Sequence, residues 1–278
     1  MKTPPAILGK IASSTLLRIE KAKETLPPFQ ARDLALDKTA QQCAEQKQLG
    51  ETIHPYSFER AIAKPGLSFI CEVKKASPSK GVIAQDFPYL EIAKEYEEGG
   101  AAAVSVLTEP EFFLGSDQYL REISSAVKIP ALRKDFIIDP YQLYEAKIWG
   151  AKAVLLICAL LEEDDLELLL VIAQSLALDC LVEIHNEAEA EEALKAGACI
   201  IGINNRDLTT FNVDTGLTER LIKKIPSHSQ ILTVAESGIS NTDDIRKLKD
   251  TGVDAVLIGE TLMRSSDKKK LLKEFISA

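Results

Sequence analysis

The chain has 278 residues, of which 46% are hydrophobic, and carries a formal net charge of −9 at pH 7. This composition can bury a sizeable core, so it excludes a disordered chain, and the acidic balance argues against a nucleic-acid partner. No apolar run reaches the length of about 18 residues that a membrane span needs.

The targeting signals and cysteines indicate the compartment. The first ten residues lack the apolar core of a signal peptide. The five cysteines include no C-x-x-C pair, and several lie in apolar runs, which is typical of reduced core thiols. We therefore expect a cytoplasmic protein without membrane contacts.

Residues 1–56 are helical in character and predict a cap on the domain that follows, 57–278. Apolar residues recur among Lys, Arg and Glu, and the pair Pro27–Pro28 stops the first helix. A second helix is predicted over Ala31–Leu49. Because this segment is too small and polar to fold alone, we expect a single domain with a helical extension.

From residue 57 onward, short apolar segments alternate with charged segments of helical period. Alternation without hairpin signals favours a parallel sheet with a helix after each strand, including one over Asp214–Lys224. The predicted strands are Leu67–Lys74, Ala102–Leu107, Ala131–Lys134, Ala153–Cys158, Cys180–Ile184, Cys199–Ile203, Ile231–Ala235 and Ala255–Ile258.

Eight such units favour an α/β fold of the (β/α)8 TIM-barrel type over an open doubly wound sheet. A weak repeat supports the assignment, since glycines such as Gly150 and Gly252 stand where a helix ends and a strand begins. No G-x-G-x-x-G motif follows a strand, as a dinucleotide-binding fold would require.

The run Phe69–Gly81 contains two charges inside an apolar strand. Glu72 and Lys74 are two residues apart, so they share one face of the strand. Buried charges are costly unless they are paired or belong to a site. Taken alone, this run favours an edge strand whose polar face is exposed to water.

Polar residues at the other strand ends favour the site. In barrel enzymes the active site lies at the C-terminal ends of the strands, and ionisable residues that converge there from six strands are not expected of a solvated surface. The candidates in chain order are Glu72, Lys74, Ser77, Lys134, Glu183, Asn204, Arg206, Glu236, Ser237, Gly238, Gly259 and Glu260.

The seventh and eighth loops suggest the substrate class. Their glycines let backbone N–H groups approach an anion, which predicts a small sugar phosphate. The lysines can serve as acids, as electrostatic stabilisers or as Schiff-base nucleophiles, and the carboxylates can transfer protons. His54, His185 and His228 lack metal-ligand spacing, and whether His185 lines the mouth or is structural stays open.

Taken together, these motifs resemble the indole-3-glycerol phosphate synthase family. The resemblance spans about residues 60–264 in the family's order, and the N-terminal helices suit the family's extra cap. The matching segments are EVKKASPSKG (72–81), RKDF (133–136), LVEI (181–184), IGINNRDL (201–208), AESGI (235–239) and LIGE (257–260).

The resemblance implies a barrel enzyme without cofactor or metal, a carboxy-lyase of tryptophan biosynthesis. It would convert 1-(2-carboxyphenylamino)-1-deoxyribulose 5-phosphate into indole-3-glycerol phosphate, CO2 and water. By motif position, Lys134 would protonate the ketone oxygen as the ring closes, and Glu183 would act in later proton transfers. Glu72 and Lys74 would assist.

The resemblance also implies binding roles. Ser77, Phe113, Asn204, Arg206 and Glu236 would bind or orient the substrate, while Ser237, Gly238, Gly259 and Glu260 would hold the phosphate, chiefly through backbone N–H groups. Phe113 would pack on the anthranilate ring, with a core aromatic as the alternative. Glu260 stands where some relatives have serine, so its carboxylate would have to point away from the phosphate.

Two other functions stay open. One is a sugar-phosphate aldolase in which Lys134 forms a Schiff base, and the other is a sugar-phosphate sensor without turnover. The presence of both Lys134 and Glu183 argues against the sensor. We expect a monomer, or at most a weak dimer, with the loop Ser77–Gly81 as a mobile rim over the substrate.

Overall fold

The computed structural model describes residue 2 and residues 6–48, 57–226 and 231–278. Four features named above lie outside these ranges: the predicted domain boundary at residue 56, the predicted helix end at Leu49, and the side chains of His54 and His228.

Eight parallel strands form a closed barrel, which confirms the predicted (β/α)8 fold. Each strand pairs with the next one in the chain, and the first closes on the eighth with Phe69 opposite Val256. One apolar core runs through all eight strands and the helices around them. The strands are β1 Ser68–Val73, β2 Ala103–Leu107, β3 Ala131–Lys134, β4 Ala153–Ile157, β5 Asp179–Ile184, β6 Ile200–Asn204, β7 Leu232–Glu236 and β8 Ala255–Ile258.

Helices follow the strands, and two more precede the barrel. Glycines end several of them in the left-handed conformation, as predicted; Gly252, for example, has φ +82°. The helices are α1 Ala6–Thr25, α2 Pro28–Gln48, α3 Ser57–Ile62, α4 Tyr89–Gly99, α5 Asp117–Ala126, α6 Pro140–Ile148, α7 Glu163–Ser175, α8 Glu187–Lys195, α9 Leu217–Leu221, α10 Thr242–Thr251, α11 Glu260–Arg264 and α12 Lys268–Ser277.

The predicted helix over Asp214–Lys224 was too long. Only α9 is α-helical there, and a 3-10 turn over Ile222–Lys224 follows it. The Asp214 carboxylate accepts a hydrogen bond from the backbone N–H of Gly216 at 3.0 Å. This local turn competes with a helical start, so the helix begins only after Gly216.

The loop after β1 contains a small hairpin that the sequence did not predict. Ala76–Ser77 and Gly81–Val82 pair in antiparallel fashion. Gly81 has φ +63°, and the N–H of Lys80 donates to the carbonyl of Ser77 at 3.2 Å. We call residues 76–82 the rim hairpin.

The N-terminal helices pack against the barrel. Leu8 and Ile11 of α1 belong to the barrel's own core. Arg18 donates two hydrogen bonds to Asp135, which follows β3, at 2.9 and 2.8 Å. Helix α1 is thereby attached to the end of the barrel at which β3 terminates. No helix within the described ranges is long and apolar enough to cross a membrane.

Candidate active site

A cavity of about 530 Å3 opens at the C-terminal end of the barrel. Its volume lies within the range usual for small-molecule sites, about 300–1,000 Å3. Every candidate named from the sequence lines this cavity, and the structure thus brings together residues from distant parts of the chain. The set is Glu72, Lys74, Ser77, Phe113, Lys134, Glu183, Asn204, Arg206, Glu236, Ser237, Gly238, Gly259 and Glu260.

Lys134, at the end of β3, lies between two carboxylates. Its Nζ is 2.5 Å from Glu236 Oε2 and 3.4 Å from Glu183 Oε2. Burial opposes the charge of Lys134, but the fields of Glu236, Glu183 and Glu72 outweigh it and raise the pKa of the amine above its ordinary value. Lys134 is therefore a half-buried ammonium at neutral pH.

The two carboxylates that contact Lys134 differ in pKa. Burial raises the pKa of Glu236 to about 7, and the negative charges of Glu183 and Glu72 add to this rise, which Lys134 only partly offsets. For Glu183 burial acts in the same direction, but Lys134 and His185 outweigh it and lower the pKa to about 2. One carboxyl group thus titrates near neutrality while its neighbour stays ionised, as acid–base work requires.

Glu72 and Lys74 form an ion pair with each other at the end of β1. Their side chains are only 5% and 17% exposed, so the pair borders the cavity and is not part of a wet strand edge. The prediction that they share one face is confirmed by this contact.

Two glycines make room for the charged groups. A Cβ atom on Gly202 of β6 would overlap Glu236 Oε1, and one on Gly259 would overlap Glu72 Oε1. Neither glycine has a positive φ. A side chain at either position would therefore displace the carboxylate that lies against it, so the missing Cβ atoms help to keep Glu236 and Glu72 in place.

The loop after β7 has an unusual backbone. Ser237 adopts φ +66° and Gly238 φ +83°, a conformation that is uncommon for a non-glycine residue and is often found at functional sites. Asn205 supports the loop, since its Nδ2 donates to the carbonyl of Ser237 at 3.1 Å. Asn205 was missed from the sequence, although its place beside Asn204 was a usable signal.

The neighbouring loop after β8 leads directly into α11. Gly259 stands at the N-terminal end of this helix, where backbone N–H groups have no helical acceptor. The Glu260 carboxylate accepts from Arg264 Nε at 3.0 Å and lies 3.8 Å from Lys80 of the rim hairpin. Its charge is thus engaged by two cations.

One part of the cavity wall is apolar and partly aromatic. Phe113 lies on this wall, with its ring centroid 5.8 Å from that of Phe136. Helix α1 contributes Ile7, Leu8 and Ile11. The predicted cap therefore forms part of the cavity, which the periodicity of α1 alone did not indicate.

His185 does not line the cavity but lies behind Glu183. Its Nε2 is 3.4 Å from Glu183 Oε1, and its Nδ1 is 3.1 Å from Glu189 Oε2. Burial by itself would lower the pKa of the imidazole, but the two carboxylates outweigh this effect and raise the pKa to about 10. Across residues 2, 6–48, 57–226 and 231–278, no cluster of three or more His, Cys, Asp or Glu side chains could hold a metal ion.

A closed (β/α)8 barrel whose C-terminal mouth carries lysines, carboxylates and a strained glycine-containing loop belongs to the class of barrel enzymes. Solved structures support the fold. The chain is similar to 3-hexulose-6-phosphate synthase from Salmonella typhimurium, with a TM-score of 0.61 at 13% identity, over 76% of this chain and 97% of that one. It is also similar to thiamine phosphate pyrophosphorylase from Pyrococcus furiosus, with a TM-score of 0.58 at 20% identity, over 75% of this chain and 93% of that one.

Sequence comparisons identify the family within that class. The family model described as indole-3-glycerol phosphate synthase matches residues 24–275. Proteins of that name are 52% identical in Ruminiclostridium cellulolyticum, over 94% of this chain and 95% of the relative, and 53% identical in Endomicrobium trichonymphae, over 96% and 98%. The chain belongs to the indole-3-glycerol phosphate synthase family, which confirms the prediction of a carboxy-lyase of tryptophan biosynthesis.

Proposed function

We propose that the chain converts 1-(2-carboxyphenylamino)-1-deoxyribulose 5-phosphate into indole-3-glycerol phosphate, CO2 and water. One observation carries the proposal: the ammonium of Lys134 lies between two buried carboxylates in a cavity that has an aromatic wall and a strained seventh loop. This combination suits an aromatic substrate with a sugar-phosphate arm. Family membership supports the same reaction.

Ring closure is assigned to Lys134. Negative charge develops on the ketone oxygen as the aromatic carbon attacks, and a half-buried ammonium stabilises that charge and donates the proton. The raised pKa of Lys134 keeps the amine charged before the step. Phe113 and the apolar residues of α1 hold the aromatic ring, so that the two arms of the substrate meet.

Later proton transfers are assigned to Glu183, with Glu72 and Lys74 assisting in the loss of water. Glu183 is ionised at neutral pH and can accept a proton. The Glu72–Lys74 pair lies against Gly259 of the eighth loop, beside the same cavity. The pair can therefore supply a proton to a departing hydroxyl group.

Binding is assigned to the remaining residues. Backbone N–H groups of Ser237, Gly238, Gly259 and Glu260 hold the phosphate, while Ser77, Asn204, Arg206 and Glu236 orient the rest of the substrate. We further propose that residues 1–56 and 57–278 act as one domain, because α1 supplies part of the cavity wall. The enzyme is proposed to be cytoplasmic and monomeric, or at most weakly dimeric, with five free thiols.

The decisive experiment is a fluorescence assay for indole product with the purified full chain and the carboxyphenylamino-ribulose phosphate. Turnover with release of CO2 is expected. Binding without turnover would favour the sensor. An aldolase would leave a borohydride-trapped adduct on Lys134, which the proposal does not expect, because a Schiff-base lysine must be neutral and Lys134 is held charged.

The phosphate loops predict competitive inhibition by inorganic phosphate and sulfate. We expect millimolar phosphate to raise the apparent KM without changing kcat, since the ion occupies only part of the substrate site. Initial rates across substrate concentrations measure this, with chloride at equal ionic strength as the control. An unchanged KM in phosphate would contradict the assigned loops.

A further inference from the structure

His185 and Glu189 lie behind Glu183, on the side that does not line the cavity, and have no assigned role in the proposed reaction. Glu189 belongs to the first turn of α8, and Asn186 caps the same helix. Glu189 Oε1 accepts from Asn186 Nδ2 at 2.8 Å, and the N–H of Glu189 donates to Asn186 Oδ1 at 3.0 Å. The carboxylate is therefore held in place by its own helix cap.

The fixed carboxylate in turn orients the ring of His185. Glu189 Oε2 accepts from the backbone N–H of His185 at 2.7 Å and lies 3.1 Å from the ring Nδ1. With Nδ1 facing Glu189, the other ring nitrogen faces Glu183. Nε2 is buried and, among the described residues, has no partner of hydrogen-bond geometry; its contact with Glu183 Oε1 at 3.4 Å is ionic.

Glu183 is consequently held from both sides. Its Oε1 faces His185 and its Oε2 faces Lys134 at 3.4 Å, so only Oε2 is on the cavity side of the cluster. When Lys134 gives its proton to the substrate, Glu183 loses the cation at Oε2. The cation at Oε1 stays, because His185 is not in the cavity.

We propose that His185, oriented by Glu189, is a positioning residue that keeps Glu183 ionised and correctly oriented while Lys134 is deprotonated. The inference rests on the proposed function, since it assigns Glu183 to later proton transfers. Among the described residues, the charged groups in contact with the ring are Glu183 from β5 and Glu189 from α8, and Asp207 from the loop after β6 interacts with it through its charge. All three are anionic, so the surroundings favour the imidazolium form.

The test uses two variants and a matched control in the full-length enzyme. Glu189→Gln keeps the size of the side chain and one acceptor oxygen for the helix cap but removes the charge, and His185→Gln removes the ring cation. Glu187→Gln is the control, because Glu187 is in the same helical turn but is exposed and pairs with Lys224.

We expect both test variants to lower kcat by about 10- to 100-fold, less than the loss of a general acid–base group itself, with KM changed by less than about threefold. The acidic limb of the kcat–pH profile should move to higher pH by about one unit, since Glu183 loses part of what lowers its pKa. Glu187→Gln should match the wild type in both respects. An unmoved acidic limb in either test variant, with or without a lower kcat, overturns the inference.

A second measurement does not depend on the variants folding. NMR titration of the ring nitrogens of His185 in the wild type should show an imidazolium that persists above pH 8. Titration near 6.5, in an enzyme that makes product, overturns the inference alone. A wild type that makes no product would instead overturn the proposed function.

Discussion

Arg133 and Lys134 are neighbours on β3, yet they belong to two different buried charge networks. Arg133 donates to Asp135 at 3.0 Å and to Thr108 at 3.3 Å, and its guanidinium lies 4.2 Å from the centre of the Trp149 ring. Asp135 also accepts two bonds from Arg18. At the centre of this network the side chains of Arg133 and Asp135 are 0% exposed, and Arg18 at its edge, 28% exposed, reaches solvent.

The network around Lys134 is less complete. Glu236 Oε1 is buried and has no hydrogen-bond partner among the described residues. The pKa of Glu236 is raised to about 7, and the largest cause is its burial. Burial also acts on Asp135, but Arg18 and Arg133 outweigh it and hold the pKa of Asp135 well below its usual range. Buried groups with all their partners stabilise a fold, while an incomplete set beside a cavity is left for a substrate to satisfy.

Replacing the central lysine tests the functional side of this comparison. We expect Lys134→Met to lower kcat by about 10²–10⁴-fold, because the cation at the ketone oxygen is lost. Substrate binding should persist, since the phosphate loops and the aromatic wall are untouched. Steady-state kinetics and equilibrium binding measure the two effects. Full activity in this variant would contradict the mechanism.

Replacing its neighbour tests the structural side. Arg133→Met leaves Asp135 with one cation fewer in a dry environment, so we expect the free energy of unfolding to fall by about 3–5 kcal/mol. Urea denaturation followed by circular dichroism measures the loss. Turnover per folded molecule should stay within about threefold of the wild type. A stable but inactive Arg133→Met would mean that the two networks are not separate.

The pH dependence of stability should also differ between the networks. The folded-state pKa of Glu236 is raised from 4.5 to about 7, so its contribution to stability is present below about pH 4.5 and is lost as pH rises through 7. The free energy of unfolding of the wild type, relative to that of Glu236→Gln, should therefore fall by roughly 3 kcal/mol between pH 4.5 and 8.

Asp135 has the opposite sign. Its depressed pKa makes its contribution present above about pH 4 and lost on acidification. The free energy of unfolding of the wild type, relative to that of Asp135→Asn, should therefore fall only as the pH drops below about 4. Urea denaturation across the pH range measures both differences, and parallel curves for the two variants would contradict the distinction.

The smallest effect is expected at Glu260, whose ion pairs are partly exposed. The Glu260 and Arg264 side chains are 28% and 50% exposed, and pairs of this kind contribute about 0–1 kcal/mol. Glu260→Ser should change the free energy of unfolding by less than about 0.5 kcal/mol and should lower the KM modestly, by removing a negative charge near the phosphate loops. A large rise in KM would show that the carboxylate itself contacts the substrate.

The sequence was most informative where a residue's role follows from strand periodicity. Alternation placed Glu72 and Lys74 on one face, and the strand ends placed Lys134, Glu183 and Glu236 at one mouth, because parallel strands of a barrel share their C-terminal end. These statements need no knowledge of which helix packs where.

Features that depend on particular local turns or on packing between distant segments could not be predicted. The rim hairpin, the shortened α9 and the contribution of α1 to the cavity arise from local turns and from packing between distant segments. The position of His185 behind Glu183 likewise depends on how α8 begins, through the cap formed by Asn186 and Glu189. Sequence spacing alone left the role of His185 open.

Gly202 has a consequence for attempts to transplant this chemistry. The residue lies in the middle of a regular strand, without the positive φ that usually explains a glycine, and its missing side chain is where Glu236 Oε1 lies. A designer who copied the lysine and the carboxylates onto another barrel, but left alanine at this position, would displace Glu236 by a single methyl group. A design that transfers Lys134, Glu183 and Glu236 to another barrel should therefore also transfer the glycine at position 202.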